Sequence, residues 1–265
     1  MDDFKDKVAV VTGGGSGIGR GICHALAEAG ANVVVADIDE ESAGKVSEEI
    51  GGKGVRGVAV ATDVTQTESV TALASTTLKE MGGVDVVCNN AGVYLGGEMA
   101  DTTEDDWRFV LSVNLDGVFR VGQAFSKILR EQGRGGHIVN TASIGGFMSH
   151  GAAVAYAASK FGVVAYSEAL RQDLAPHGIG VSTLCPGPIR TSLAGSDRLR
   201  EPGEQKGGKS QALWEFIREG MEPEEIGPIV LAGIRDNAAY IYTHDFSDAF
   251  SERFQRVLKD FDRVR

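Results

Sequence analysis

The sequence predicts an α/β fold, with one doubly wound parallel sheet of about seven strands and helices on both of its faces. Three observations lead to this fold class. Apolar runs of strand length recur along the chain, stretches with helical spacing lie between them, and a glycine-rich turn joins the first run to the first helix. Alternation of strands and helices is typical of βαβ units in a parallel sheet. We therefore expect the 265 residues to form a single domain.

Seven apolar runs are the candidate strands. Most are continuously apolar rather than alternating, as expected for strands buried on both faces of a parallel sheet. In chain order they cover residues 8–12, 32–37, 55–63, 84–90, 136–142, 180–185 and 239–243.

Helical spacing of apolar residues marks the stretches between and after these strands. The predicted helices cover residues 18–29, 40–50, 66–81, 104–131, 152–175, 211–219, 222–235 and 247–261. The last forms a C-terminal extension from about 245 to 265 and is amphipathic, with a stripe of Phe250, Phe254, Val257, Leu258 and Phe261. Residues 194–210 are polar and rich in glycine, so we predict a mobile substrate loop at about 190–220.

Charge and composition exclude several classes of protein. The chain has 26 basic and 37 acidic residues, a net charge of −11, which disfavours nucleic acid and anionic membranes as partners. No apolar run is long enough to span a bilayer, and the charged residues 1–7 are unlike a signal peptide. Cysteine and histidine spacings fit no metal site. These features predict a cytoplasmic enzyme or binding protein without a metal.

The glycine-rich turn predicts a dinucleotide site. It contains Gly13, Ser16, Gly17, Ile18 and Gly19, directly after the first strand and at the start of a helix. Glycines allow the backbone to approach a pyrophosphate closely, and the free N–H groups of the helix N-terminus bind it.

Two acids follow this turn at the ends of strands. Asp37 ends the second strand 18 residues after Gly19, where a carboxylate accepts hydrogen bonds from ribose hydroxyls and repels a 2′-phosphate. The sequence therefore predicts NAD rather than NADP as the cofactor. Asp63 ends the third strand, and two roles stay open for it: binding the adenine amino group or capping the following helix.

A phenol and an ammonium group form the candidate catalytic pair. Tyr156 and Lys160 are four residues apart and share one helix face. Ser143 lies at the end of the fifth strand, at the sheet edge where ligands bind in open α/β folds.

Taken together, these motifs resemble those of the short-chain dehydrogenase/reductase family, in its single-domain, Rossmann-type form. Thr12, Gly13, Gly17 and Gly19 match TGxxxGxG, and Tyr156 with Lys160 matches YxxxK. The resemblance extends over about residues 5 to 193. The remaining matches, in chain order, are Asn89-Asn90-Ala91-Gly92, Asn114, Ser143 and Pro186-Gly187.

The resemblance implies a role for each matched residue. Tyr156 acts as general acid or base, Ser143 binds the substrate oxygen, and Asn114 anchors a water in a proton relay. Lys160 binds ribose and, together with the positively charged nicotinamide ring, lowers the pKa of the phenol. Lowering a phenol pKa from about 10 to about 7 requires roughly 4 kcal/mol from nearby positive charge. The cofactor would further be bound by Val64, Asn90, Ala91, Gly92, Pro186, Gly187, Ile189 and Thr191.

Residues that follow each motif are the candidates for the substrate pocket. They are mostly apolar, without a paired arginine for an anion, so we expect a neutral, bulky secondary alcohol or ketone, with aryl-substituted compounds included. Ordinary core packing is the open alternative for each of them. The set is Val93, Tyr94, Leu95, Ile144, Phe147, Met148, Val154, Pro188, Leu193 and Trp214.

The resemblance also implies a homo-oligomer that pairs through the helices at 104–131 and 152–175. Because residues 240–244 lead into a charged helix rather than a DGG-like tail, both a homodimer and a homotetramer remain open. Two other functions also remain open. One is an epimerase or dehydratase on the same fold, although the TGxxGxxG motif and the longer C-terminal domain of that class are missing. The other is a non-catalytic dinucleotide sensor, which the presence of the serine, tyrosine and lysine disfavours.

Overall fold

A seven-stranded parallel sheet forms the centre of the computed structural model, which describes residues 1, 3–149, 151–200 and 211–264, the side chains at 211–214 and 262 excepted. The strands lie in the spatial order β3-β2-β1-β4-β5-β6-β7. This order confirms the predicted doubly wound fold. The strands are β1 (Val8–Thr12), β2 (Asn32–Asp37), β3 (Gly57–Ala61), β4 (Val86–Asn89), β5 (Gly136–Thr141), β6 (Ile179–Cys185) and β7 (Tyr240–Tyr242).

Helices cover both faces of this sheet. They are α1 (Gly17–Glu28), α2 (Glu40–Gly51), α3 (Thr67–Met81), α4 (Glu104–Leu111), α5 (Val118–Gln132), α6 (Val154–Leu174), α7 (Gln211–Arg218), α8 (Ile226–Arg235) and α9 (Ser247–Asp260). In β1, Ala9 and Val11 pack in one core cluster with α1, α2 and α8, whereas Val10 packs in another with α3 and α5. Burial on both faces explains why the strand sequences are continuously apolar.

The prediction that the third strand is buried on both faces is wrong. The observed strand β3 is shorter than the predicted 55–63, and none of its five residues is fully buried. It lies at the edge of the sheet and pairs with β2 alone. An edge strand keeps one side open to solvent, so its valines are only half-buried.

The predicted helix at 104–131 is interrupted in the structure. A π-helical stretch (Ser112–Gly117) separates α4 from α5. Asp106, Val110, Asn114 and Val118 are all buried and lie four residues apart. In an ideal α-helix, four residues advance the side chain by about 40° beyond a full turn, which would carry it out of the interface. The wider π turn compensates for this drift and keeps Asn114 facing inward.

The C-terminal third of the chain differs partly from the prediction. A 3-10 helix (Leu193–Leu199) occupies the start of the predicted loop, and residues 201–210 lie outside the described part of the chain. On α9, Phe250 is half-buried but Phe254, Val257, Leu258 and Phe261 are exposed. Within the described ranges, no helix is both long and apolar enough to cross a lipid bilayer.

His137 makes the stability of this fold sensitive to acid. The ring is 2% exposed, and its Nε2 lies 2.8 Å from the hydroxyl of Ser182. Burial lowers the pKa of His137 to about 4, and the charge of Arg171 acts in the same direction. The unfolded chain therefore takes up this proton at a higher pH than the folded chain does.

We predict that His137 destabilises the protein as the pH falls from about 6.5 to about 4, by roughly 3 kcal/mol over that range. The measurement is the free energy of unfolding by urea at several pH values, for the native chain and for His137→Gln. The variant should show a shallower loss between these pH values. His177→Gln, at an exposed position, is the control. Parallel curves for His137→Gln and the native chain would contradict the prediction.

Candidate active site

The glycine turn after β1 is built for close approach of another group. Gly13 and Gly17 have φ values of +63° and +51°, a conformation that favours glycine. A Cβ atom on Gly13 would lie 2.9 Å from Cα of Ala91, so the turn also packs directly against the segment that follows β4. The hydroxyl of Thr12 fixes this contact by accepting the N–H groups of Asn90 at 3.0 Å and Ala91 at 3.1 Å.

The N-terminus of α1 opens from this turn. Ser16 is the N-cap residue, and its side chain makes no capping hydrogen bond. Ile18 is half-buried against the core, which fixes the first turn of the helix. Thr191 lies at the same place, because a Cβ atom on Gly17 would be 3.1 Å from its methyl group. The turn and Thr191, both predicted as cofactor residues, thus lie together.

Asp37 closes one side of the turn. Its Oδ2 accepts the N–H of Gly15 at 2.9 Å, and its Oδ1 accepts the N–H of Asp39 at 3.0 Å. Arg20, which directly follows the glycine turn in sequence, is held by Glu49 at 3.1 Å and Glu224 at 3.0 Å. The glycine N–H groups and the helix N-terminus are hydrogen-bond donors that suit a pyrophosphate. The carboxylate is an acceptor that suits ribose hydroxyls.

The next acid is held locally. The Oδ1 of Asp63 accepts both the N–H and the hydroxyl of Thr65, at 2.8 and 2.7 Å. The N-cap of α3 is Gln66, so the alternative that Asp63 caps this helix is wrong. The side chain of Val64 packs in the core against Gly117, which leaves its backbone for the predicted cofactor contact.

Asn90 connects the glycine turn to the sheet. Its amide nitrogen lies 3.2 Å from the carbonyl oxygen of Thr12, and its Oδ1 accepts the hydroxyl of Thr141 at 3.4 Å. The side chain therefore has a structural role. Gly92, two residues later, lies beside two of the predicted catalytic residues, since a Cβ atom there would be 3.3 Å from Oδ1 of Asn114 and 3.6 Å from Nζ of Lys160.

Asn114 joins the segment after β4 to α6. Its Oδ1 accepts the N–H of Val93 at 2.8 Å, and its Nδ2 donates to the carbonyl of Val93 at 2.9 Å and to the hydroxyl of Ser159 at 3.1 Å. The predicted water relay through this residue stays a prediction, because its side chain is engaged by protein groups.

The side chains of Lys160 and Tyr156 lie close together at the carboxyl end of β5. The ammonium group of Lys160 donates to the carbonyl of Thr141 at 2.9 Å and lies 5.6 Å from the centre of the Tyr156 ring. Ser143 lies two residues beyond Thr141. Its hydroxyl accepts the N–H of Gly145 at 3.0 Å and also interacts with the phenol of Tyr156. The structure thus brings all three predicted groups together.

Burial acts on this pair in opposite directions. It raises the pKa of Tyr156 to about 12, although the hydrogen bond from Ser143 favours the phenolate. Burial also lowers the pKa of Lys160 to about 8. The expectation that Lys160 and a positively charged nicotinamide ring together lower the pKa of Tyr156 therefore stays a prediction. Loss of solvent outweighs the ammonium charge, so further positive charge is needed to favour the phenolate.

The turn after β6 lies on the far side of the site. The carbonyl of Pro186 accepts the N–H of Ile144 at 2.9 Å. Met221 pairs through its backbone with Pro188 and Arg190, so the N–H and carbonyl of Ile189 point to the opposite side. That direction agrees with the predicted main-chain role of Ile189.

The candidate substrate residues divide into two groups. Tyr94 packs edge-on against Tyr156, with 5.0 Å between ring centres. Leu95, Met148, Val154, Pro188 and Leu193 are half-buried, as pocket-lining residues would be, and the side chain of Trp214 lies outside the described residues.

Three of the candidates are mainly core residues. Val93 and Ile144 are 3% and 8% exposed. Phe147 lies in an aromatic cluster with Tyr240, Tyr242 and Phe250, at centre-to-centre distances from 5.1 to 6.3 Å. Sequence reasoning placed Phe147 in the pocket because it follows Ser143, but nothing local indicated that β7 and α9 pack over it.

Sequence reasoning also missed the residues that hold the Pro186-Gly187 turn. The N–H of Gly187 donates to the hydroxyl of Thr243 at 3.0 Å. A Cβ atom on Gly187 would lie 2.7 Å from Nδ1 of His244 and 2.9 Å from the ring of Phe246. The segment after β7 therefore packs directly on this turn. These contacts join residues 56 or more positions apart, so no local pattern reports them.

The fold and the arrangement of the site define an α/β protein of the dinucleotide-binding, Rossmann-like type. A family model for short chain dehydrogenases matches residues 7–202. The chain belongs to the short-chain dehydrogenase/reductase family of oxidoreductases, as the sequence motifs predicted.

Individual relatives are similar over nearly the whole chain. The C alpha-dehydrogenase of a Sphingobium species is 33% identical, with 97% of this chain and 87% of that protein covered. A short chain dehydrogenase/reductase from Burkholderia phymatum, solved in complex with NAD, superposes with a TM-score of 0.91 at 33% identity, over 100% of this chain and 97% of that one. The apo form of LigD from Sphingobium gives a TM-score of 0.83 at 31% identity, over 97% and 98% of the two chains.

The hydroxyl of Thr12 joins the glycine turn to the segment after β4 in the predicted cofactor site, and its role can be tested by substitution. We predict that Thr12→Val leaves two half-buried N–H groups without their acceptor, which costs about 1 kcal/mol of stability for each of them and weakens NADH binding. Thr12→Ser keeps the hydroxyl and should restore both properties. The measurements are thermal unfolding and a fluorescence titration with NADH. Native NADH binding and native stability in Thr12→Val would show that the hydroxyl does not hold the glycine turn against the segment after β4.

Proposed function

We propose that this protein is an NAD(H)-dependent short-chain alcohol dehydrogenase or ketone reductase. Its substrates are neutral, mostly hydrophobic secondary alcohols or ketones, including aryl-substituted ones. The observation that carries the proposal is the convergence of Ser143, Tyr156 and Lys160 at the carboxyl end of β5, beside Gly92. The apolar surroundings of Tyr156 and the relatives named as dehydrogenases support it.

In this mechanism the protein side chains bind the substrate oxygen and move its proton. Ser143 accepts the N–H of Gly145, and in the proposed complex its hydroxyl proton turns from Tyr156 to the substrate oxygen, where negative charge develops. Tyr156 takes the alcohol proton during oxidation or gives one to the ketone during reduction. Bound NAD(H) supplies the hydride acceptor or donor.

Lys160 has two tasks in the proposed reaction. Its ammonium group stabilises the phenolate of Tyr156, and its position near Gly92 lets it bind the hydroxyls of the ribose next to nicotinamide. Burial favours the neutral form of both side chains. The positive charge of an oxidised nicotinamide ring adds to that of Lys160, so proton removal from an alcohol becomes favourable once the cofactor is bound.

Asp37 is the basis for choosing NAD over NADP. Its carboxylate lies at the glycine turn, where a 2′-phosphate would place negative charge against it. Arg20 is paired with two glutamates and so is engaged elsewhere. The complex of a similar structure with NAD supports this choice.

We predict that Tyr156→Phe lowers turnover by about 100-fold or more, because general acid or base catalysis contributes about that much. NADH binding should stay nearly native. The measurement is NAD reduction by secondary alcohols graded by size and aromaticity, with NADH binding followed by fluorescence. Tyr166→Phe, on the same helix, is the matched control and should keep its activity.

Two outcomes would reject this mechanism. Native turnover in Tyr156→Phe would show that another group moves the proton. A native protein that binds NADH but oxidises no alcohol and reduces no ketone in the panel would instead favour a dinucleotide sensor.

We predict that Asp37→Asn lowers the preference for NAD over NADP by about tenfold or more, which corresponds to about 1.4 kcal/mol. Asparagine keeps an acceptor for the N–H of Gly15 but removes the charge that repels a 2′-phosphate. The measurement is kcat/KM for both cofactors with one alcohol. Asp39→Asn, two residues later on the exposed side, is the control. A native protein that already prefers NADPH would overturn the assignment of Asp37.

A further inference from the structure

A short segment crosses the substrate side of the site and is held there more firmly than its polar sequence indicates. We name residues 193–200 the strap; they comprise the 3-10 helix Leu193–Leu199 and Arg200. Within the strap, Ser196 is 2% exposed and Arg200 is 8% exposed. Two polar side chains buried in one short segment require specific hydrogen-bond partners. Those partners lie in the segment that follows β4 and in α4.

The first attachment joins Ser196 to Tyr94. The hydroxyl of Ser196 accepts the N–H of Tyr94 at 3.0 Å and donates to the carbonyl of Leu193 at 2.6 Å. Since Tyr94 is only 7% exposed, its N–H would lose a hydrogen bond without this hydroxyl. The strap thus completes the backbone bonding of the residue that packs against the candidate base.

The second attachment is a buried ion pair. The guanidinium of Arg200 bonds the carboxylate of Asp106, and their side chains are 1% and 3% exposed. The same guanidinium lies 5.8 Å from the centre of the Phe109 ring. Burial alone would raise the pKa of Asp106, but hydrogen bonds from Thr103 and Arg200 hold it below its usual range. Breaking such a pair by removing one partner is costly, so Arg200 anchors the end of the strap.

Tyr94 connects the strap to Tyr156, the candidate base. Its ring packs edge-on against that of Tyr156, with 5.0 Å between centres and an interplanar angle of 62°. We propose that Ser196 and Arg200 are positioning residues, which fix the strap on Tyr94 so that the ring of Tyr94 holds Tyr156 in its reactive orientation. This inference rests on the proposed function, because it takes Tyr156 as the group that moves the proton.

The physical effect has two parts. A ring held on one face by Tyr94 has fewer accessible orientations, and a misplaced catalytic group costs turnover more than it costs cofactor binding. The contact also excludes water from the phenol, and exclusion of water favours its neutral form. Loosening the strap therefore lowers turnover and shifts the pH at which the base loses its proton to lower values.

The test compares two serines of the same region. Ser196→Ala removes the buried hydroxyl, whereas Ser192→Ala removes an exposed one and is the matched control. Ser196→Thr keeps the hydroxyl and tests rescue, and Arg200→Met tests the second attachment. For each protein we would measure NADH binding, kcat and KM across pH with the best alcohol of the panel. In protein with all 5 tyrosines labelled, we would also measure the nuclear Overhauser contact between the rings of Tyr94 and Tyr156.

We expect Ser196→Ala to lose the ring-to-ring contact and about tenfold in kcat, with the acidic limb of the kcat profile about one pH unit lower and NADH binding unchanged. Ser196→Thr should recover most of the loss, and Ser192→Ala should match the native protein. Retention of the ring contact, or a native kcat profile, in Ser196→Ala would overturn the proposal even if Arg200→Met fails to fold.

The two proposals fail in different ways. Native turnover in Tyr156→Phe would reject the proposed function, whichever result Ser196→Ala gives. An active native enzyme whose kcat profile is the same in Ser196→Ala would reject the role of the strap alone. If the native protein turns over no substrate, the ring contact in Ser196→Ala still decides whether the strap places Tyr94.

Discussion

The burial of one ammonium group sets the geometry of the whole site. A buried charge is costly unless it is hydrogen-bonded, and Lys160 meets this need with the carbonyl of Thr141, the last residue of β5. That bond fixes the register of α6 against the sheet. Gly146 permits the same close approach, since a Cβ atom there would lie 2.8 Å from the carbonyl oxygen of Lys160. Tyr156, one helical turn earlier, is thereby brought to Ser143. A single lysine thus links helix, strand and serine segment.

The same burial means that the protein alone does not favour the charged pair. Tyr156 is held as a phenol, and the ammonium of Lys160 is less stable than it is in water. Charge brought by a ligand is needed to reverse this balance, and in the proposed reaction that charge belongs to the oxidised cofactor. Asn114 and Lys160 both lie next to Gly92, one of the predicted cofactor residues. In the proposed reaction, Tyr156 therefore acts as a base only when the cofactor is bound.

Sequence periodicity and motif order predicted the sheet, most helix bounds within a few residues, and the meeting of Ser143, Tyr156 and Lys160. They did so because continuous apolar runs and helical spacing are local properties of the chain. The features that the sequence did not predict have a common physical origin. The exposure of β3 depends on its place in the sheet, and the packing of Phe147 depends on β7 and α9. The pKa of Tyr156 depends on how much solvent the surrounding segments exclude. Each depends on neighbours distant in sequence.

The two sides of the site have different origins. One side consists of the glycine turn, Thr12 and the segment after β4, all in the amino-terminal part of the chain. Most of its contacts are made by backbone N–H groups, which do not depend on the identity of the side chain. The opposite side is built from the strap and from β7 with α9, which packs Phe250 on Phe147 and leaves Val257 and Leu258 exposed. The contacts on this second side are made by side chains, so the shape of the surface there depends on which residues are present. Under the proposed function, the first side therefore binds the cofactor, and the second selects which alcohol or ketone reaches Tyr156.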